Sequence, residues 1–275
     1  MNNLYKRSIT GFIYVLVMLA GVAVHPLLFA ITFASLLFFT QREFYNLMKE
    51  GLNPARKITG LAMGVMLFAV CFGIAYGLIP VKSYLIFIPA LIFIFLFDIF
   101  KNNSKLVQSS AITYTGFIYV AVPFSLMNFI VFPEFPDNSI FYPWILIGIL
   151  FIIWVYDSMA YLAGSLFGRH KMHERISPQK TWEGLITGTV FALIMGLLNT
   201  VIFSFNSIYQ WIIIAIIVVI FGTLGDMFES KIKRKLKIKD SGKVLPGHGG
   251  LLDRLDSLLF IIPVVYVWLT LSGNI

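Results

Sequence analysis

Charge is scarce in this chain: Asp, Glu, Lys and Arg make up only 12% of its 275 residues, against about a quarter in ordinary soluble domains. With 59% of the residues hydrophobic and a mean hydropathy of +0.87, the shortage excludes a soluble fold and requires an apolar solvent spanned by helices. Cysteine is nearly absent. Cys71 stands alone in an apolar run, which excludes an intrachain disulfide and says nothing about catalysis or compartment. There is no internal repeat, no low-complexity tract and no hydrophilic stretch long enough to fold alone. No small-x-small cleavage site precedes a polar sequence, so the N-terminal apolar stretch after Lys6 and Arg7 is expected to be a membrane helix rather than a cleaved signal. The expectation is a single membrane domain over 1–275, with N-terminal helices in 1–150 and the functional loops and helices in 151–275.

What is present is a series of apolar runs near 9–24, 27–39, 58–79, 81–97, 109–132, 141–163, 181–204, 207–228 and 250–271. They predict an all-α polytopic bundle of about nine transmembrane helices, the second falling short of the roughly 20 residues that cross a bilayer upright. His25-Pro26 separates the first two, since proline interrupts a helix. Nine spans with the N-terminus inside put nearly all Lys and Arg in cytoplasmic segments and leave Glu134 and Asp137 in an external loop without Lys or Arg. The balance of 21 basic against 13 acidic residues, net +8, is then a topology signal and calls for no nucleic acid.

Four carboxylates, Asp157, Asp226, Asp253 and Asp256, fall within or at the ends of apolar runs, where ionisable groups are costly and point to function. Asp253 and Asp256 are three residues apart, which places both on one helix face. Asp226 and Glu229 repeat that spacing at the end of the preceding span. A hard cation such as Mg²⁺ takes one or two carboxylates and completes its shell with phosphate and water; the alternative is a structural knot of Asp253 and Asp256 around Arg254. Between these helices, Ser230–Gly250 carries seven Lys or Arg and ends in Gly249-Gly250. Glycines and free N–H groups at a helix start suit a phosphate. His248 in that turn suits a phosphate contact better than a metal, and His170 and His173 form a weak H-x-x-H pattern expected to be solvated.

The run from Ser230 through Lys233-Arg234, Lys239-Asp240, Gly242, Leu245-Pro246-Gly247-His248-Gly249-Gly250 to Asp253-Arg254 and Asp256 closely resembles the long signature of the phosphatidate cytidylyltransferase (CDP-diacylglycerol synthase) family. Upstream, Asp157, Ala160-Tyr161, Gly164, Phe167-Gly168 and Ser177-Pro178-Gln179-Lys180-Thr181-Trp182-Glu183-Gly184 are also similar, with Gln179 where Lys is common. The resemblance is specific over 157–256 and architectural before that. It implies transfer of CMP from CTP to phosphatidic acid, with release of pyrophosphate, by a homodimeric enzyme in a bacterial inner membrane with its site facing the cytoplasm. It also implies Mg²⁺, with a second cation left open. On that basis Asp226, Asp253, Asp256 and Asp157 are the expected metal ligands. Lys233, Arg234, Lys239, His248 and Arg254 are expected on the triphosphate and the lipid phosphate, and Ser177, Lys180, Gly249 and Gly250 complete the substrate site. The competing readings are a CTP-dependent lipid kinase and an ion-coupled transporter. The D-G-x2-A-R pattern of CDP-alcohol phosphotransferases is absent.

Overall fold

The computed structural model describes residues 3–49, 54–92, 106–133, 140–203, 207–242, 249–273 and 275. The helices, in chain order, are α1 (Asn3–Ala23), α2 (Pro26–Leu47), α3 (Pro54–Ala75), α4 (Val81–Ile92), α5 (Leu106–Gly116), α6 (Val122–Val131), α7 (Trp144–Phe167), α8 (Trp182–Ile202), α9 (Ile208–Lys235) and α10 (Leu252–Leu271). A small antiparallel hairpin, β1 (Lys171–His173) and β2 (Ser177–Thr181), joins α7 to α8.

Local chemistry sets several of these boundaries. The break between α1 and α2 falls where proline predicts it: Pro26 opens α2, and His25 caps it by accepting the Leu27 N–H at Nδ1, 3.1 Å away. Thr181 caps α8 by accepting from the Gly184 N–H at 3.2 Å, and Ser207 with Gln210 forms a capping box at the start of α9. Pro123 has no N–H for the ladder, and the helix just before it widens into a π segment at Phe117–Ala121 that joins α5 to α6.

Among the described residues, seven helices are long and apolar enough to cross a membrane (α2, α3, the joined α5–α6, α7, α8, α9 and α10), and two shorter apolar ones lie at Ile9–Ala23 and in α4. This is a polytopic membrane bundle. The second span is not short, as the apolar run suggested. It continues to Leu47, because Gln41, Glu43 and Tyr45 on its last turns are buried against other helices rather than turned to water. The expected external loop with Glu134 and Asp137 lies outside the described residues.

The interior is one apolar cluster that draws side chains from α1 through α10. On the outside, α8 carries an apolar face suited to a membrane interior: Ile186, Val190, Ile194, Leu197 and Val201 are all exposed along it. Inside, α2 is tied to α3 and α5 by polar contacts. Gln41 Nε2 donates to the Gly60 carbonyl at 3.1 Å, and the Tyr45 hydroxyl donates to the Thr113 carbonyl at 2.9 Å. Such bonds hold strongly where no water competes.

Candidate active site

The polar residues gather at one end of the bundle, where α2, α7 and α9 finish and α8 and α10 begin. There a cavity of about 880 Å³ is walled by α1, α7, the hairpin, α9 and α10. The position of its charged groups follows from helix ends. The α9 helix stops after Lys233, Arg234 and Lys235, basic residues that complement its C-terminal dipole, and Lys237 then turns left-handed at φ 56°. The chain returns at Gly249-Gly250. Gly249 has φ +84°, and a side chain at Gly250 would collide with Ser241 and Glu43.

Asp157, Asp226 and Asp256 line this cavity from α7, α9 and α10 and act on one another electrostatically. Asp256 is buried, with its Oδ1 accepting the Ser257 N–H at 2.8 Å. Asp226 is half open. Lys180 of the hairpin reaches its Oδ2 at 2.7 Å, and the Ser230 hydroxyl donates to its Oδ1 at 3.2 Å. Lys180 therefore clips β2 to α9, and Arg234 Nε adds a second, longer link to the Ile176 carbonyl at 3.4 Å.

Asp253 and Asp256, expected to serve one cation from a common face, have different surroundings. Asp253 accepts from Lys233 Nζ at 2.7 Å and, at Oδ2, from the N–H groups of Ser241 and Gly250, both at 2.9 Å. Lys233 is also paired with Glu229, which is buried. Asp253, Lys233 and Glu229 thus form a closed ionic group that fixes the turn into α10. The basic partner of Asp253 in that group is Lys233. The shared i, i+3 spacing of Asp226 and Glu229 is likewise split, one facing the cavity and the other the ionic group.

Ser177, Lys239 and Arg254 line the same cavity, Lys239 and Arg254 as exposed cations at its rim. His248 lies outside the described residues. His170 is exposed yet bound, its Nδ1 2.7 Å from Glu183 Oε1 and its backbone N–H donating to the same carboxylate, which secures the hairpin to α8. Glu43 of α2 was not singled out by the sequence reasoning. It is buried, and its Oε2 accepts the Leu252 N–H at 2.9 Å.

No three His, Cys, Asp or Glu side chains among the described residues form a group able to hold a metal ion by themselves. The arrangement nevertheless suits a hard cation that draws most of its shell from phosphate and water: five aspartates line one cavity, and of the three from α7, α9 and the second turn of α10 (Asp157, Asp226 and Asp256) Lys180 is paired with Asp226.

Fold and site together define a polytopic membrane protein with a polar cavity that sets carboxylates beside Lys and Arg, the furnishing of a site for polyanions. The sequence profile of the Cytidylyltransferase family matches residues 5–272, and the chain belongs to that family. It is similar to the phosphatidate cytidylyltransferase of Staphylococcus saprophyticus, 44% identical over 119 residues that cover 43% of this chain and 46% of that one. It is also similar to that of Staphylococcus aureus strain COL, 40% identical over 159 residues, covering 57% and 60%. A third relative, the phosphatidate cytidylyltransferase of Rickettsia felis, is 38% identical over 159 residues, covering 55% and 67%. The chain thus spans about half to two thirds of the length of these relatives.

Proposed function

We propose that the chain transfers CMP from CTP to phosphatidic acid, giving CDP-diacylglycerol and pyrophosphate. The observation that carries this reading is that acidic and basic groups share a cavity with an apolar stretch of wall, Val15 of α1 and Leu150 and Ile153 of α7. A lipid with an anionic headgroup and a nucleoside triphosphate need those three surfaces together. An ionised oxygen of phosphatidate attacks the α-phosphorus of CTP. The bond from that phosphorus to the oxygen bridging to the β-phosphate breaks, and pyrophosphate departs with the electron pair. Because the lipid brings its own nucleophile, the protein's task is to position two polyanions and offset their repulsion.

Arg234, Lys239 and Arg254 at the rim are suited to phosphate oxygens, as is His248 by its place in the signature. Lys233 holds Asp253 and so shapes the turn more than it offers a free charge. Ser177 lines the same space, and Gly250 reaches it only through Asp253, to which its N–H donates. Asp226, Asp256 and Asp157 would hold Mg²⁺, and Asp253, tied to Lys233 and two backbone amides, would stand behind them. When bound, the ion neutralises phosphate charge and aligns the triphosphate.

The test is turnover by the purified full chain in detergent micelles containing phosphatidate. CTP consumption should match pyrophosphate release, require Mg²⁺ or a similar hard cation, and stop with chelator. Chelator-resistant turnover would remove the metal from the account, and CTP hydrolysis without a lipid product would remove the reaction.

The same reading places the protein in a bacterial inner membrane with the cavity facing the cytoplasm. Exposed Lys171, Arg175, Lys231 and Lys235 all lie at the cavity end, as the inward bias of basic residues requires. A cysteine introduced as Lys235→Cys should be labelled by an impermeant reagent only from the cytoplasmic side; labelling from outside would invert the topology. The homodimer implied by the family resemblance belongs to the proposal as well.

A further inference from the structure

Glu43 stands on α2, some two hundred positions from the signature residues, yet it touches the turn that builds the site. Its Oε2 accepts the Leu252 N–H at 2.9 Å and is 3.5 Å from the Ser241 hydroxyl. A side chain at Gly242 or at Gly250 would overlap the Glu43 carboxylate, so the chain is bare on both sides of it. One carboxylate thus bridges the two ends of the α9–α10 connection, Ser241-Gly242 leaving α9 and Gly250–Leu252 entering α10. Its charge also lies at the N-terminus of α10, where free N–H groups favour an anion. Two residues to either side, Gln41 and Tyr45 fasten the same stretch of α2 to α3 and α5.

We infer that Glu43 is a positioning residue. It anchors the connection on the N-terminal helices so that Asp253, through Ser241 and Gly250, and Asp256, one turn further along α10, are held at the cavity. Asp253 accepts from the N–H groups of both flanks, so it and Glu43 both hold the connection. The role rests on the proposed reading of the cavity as the phosphate site. It assigns to the first half of the chain a direct part in shaping a site whose sequence signature lies entirely in the second.

The experiment compares wild type, Glu43→Gln and Glu43→Ala as purified full chains, measuring hydrogen exchange by mass spectrometry alongside CTP turnover with phosphatidate. Gln keeps one acceptor oxygen at the same reach, whereas Ala keeps none. Exchange in peptides covering 238–252 should rise in the order wild type, Gln, Ala, with α7 and α8 unchanged, and kcat/KM should fall in the same order, by about tenfold or more for Ala, as expected for an unmet buried donor. Unchanged exchange over 238–252 in the Ala variant overturns the role, as does raised exchange there without loss of turnover. So does a Gln variant as inactive as Ala but with wild-type exchange, because the charge would then be acting directly. Exchange also rising throughout α7 and α8 would show a general structural role and overturn it too. A wild type without turnover would count against the reaction proposed above, while the exchange order would still judge the anchoring.

Discussion

Asp256→Asn is expected to lower turnover by about a hundred- to a thousandfold, the loss that follows when several kcal/mol of charge stabilisation is removed, while the melting temperature in detergent holds or rises. Asp256 is buried, shares its cavity with Asp157 and Asp226, and is repelled by both. Asparagine has the same shape and can still accept from the Ser257 N–H. Removing the charge relieves repulsion in the ligand-free protein and removes an oxygen ligand a hard cation needs. The check is activity and melting temperature on one preparation, with the melting curve repeated across Mg²⁺ concentrations. Wild type should be stabilised as Mg²⁺ is raised and Asp256→Asn much less so. Near-normal turnover in a stable variant would remove Asp256 from the proposed ligands.

Asp253→Asn should behave differently, losing activity and stability together. The Asp253 carboxylate accepts from Lys233 Nζ and from the N–H groups of Ser241 and Gly250, and asparagine has one oxygen to offer where the carboxylate has two. Lys233 would keep Glu229 as its partner, which limits the damage to about 1–3 kcal/mol instead of the larger penalty of an isolated buried charge. Calorimetry or thermal denaturation of Asp253→Asn should therefore show a clear drop that added Mg²⁺ does not reverse. A variant with wild-type stability and no activity would return Asp253 to the direct metal ligands.

The contrast between these two aspartates shows what the sequence could and could not convey. Their i, i+3 spacing correctly places both at the start of α10, and hydropathy alone locates nine apolar segments. Spacing on one helix, however, says nothing of what stands opposite. Asp253, in the first turn of α10, reaches back to the N–H of Gly250 just ahead of the helix, as acidic residues near helix starts do. Its cationic partner comes from α9, twenty positions earlier. Asp256, a turn deeper, accepts one backbone N–H, that of Ser257, and lines the cavity beside Asp157 and Asp226.

Glu43 was less legible still. An apolar-run reading ends the second span at 39, before the first charge, and assigns Gln41-Arg42-Glu43 to a loop. The partners that make a buried carboxylate tolerable there, the Leu252 N–H and the Ser241 hydroxyl, lie about two hundred residues away. The available hint was that Gln41, Phe44, Tyr45 and Leu47 continue a helical pattern through the charged positions. Lys180 is the opposite case: its motif marked it, and the structure supplies its contact with Asp226.

The central claim, that a CMP group moves from CTP onto phosphatidate, is tested most directly by following two labels in parallel. The purified full chain is given phosphatidate, Mg²⁺ and CTP carrying radioactive phosphorus at either the α or the γ position, and the lipid and aqueous products are separated. The account predicts α label in a lipid that co-migrates with CDP-diacylglycerol and γ label in pyrophosphate. Label from the γ position in the lipid, with CDP left in water, would identify a lipid kinase and contradict it.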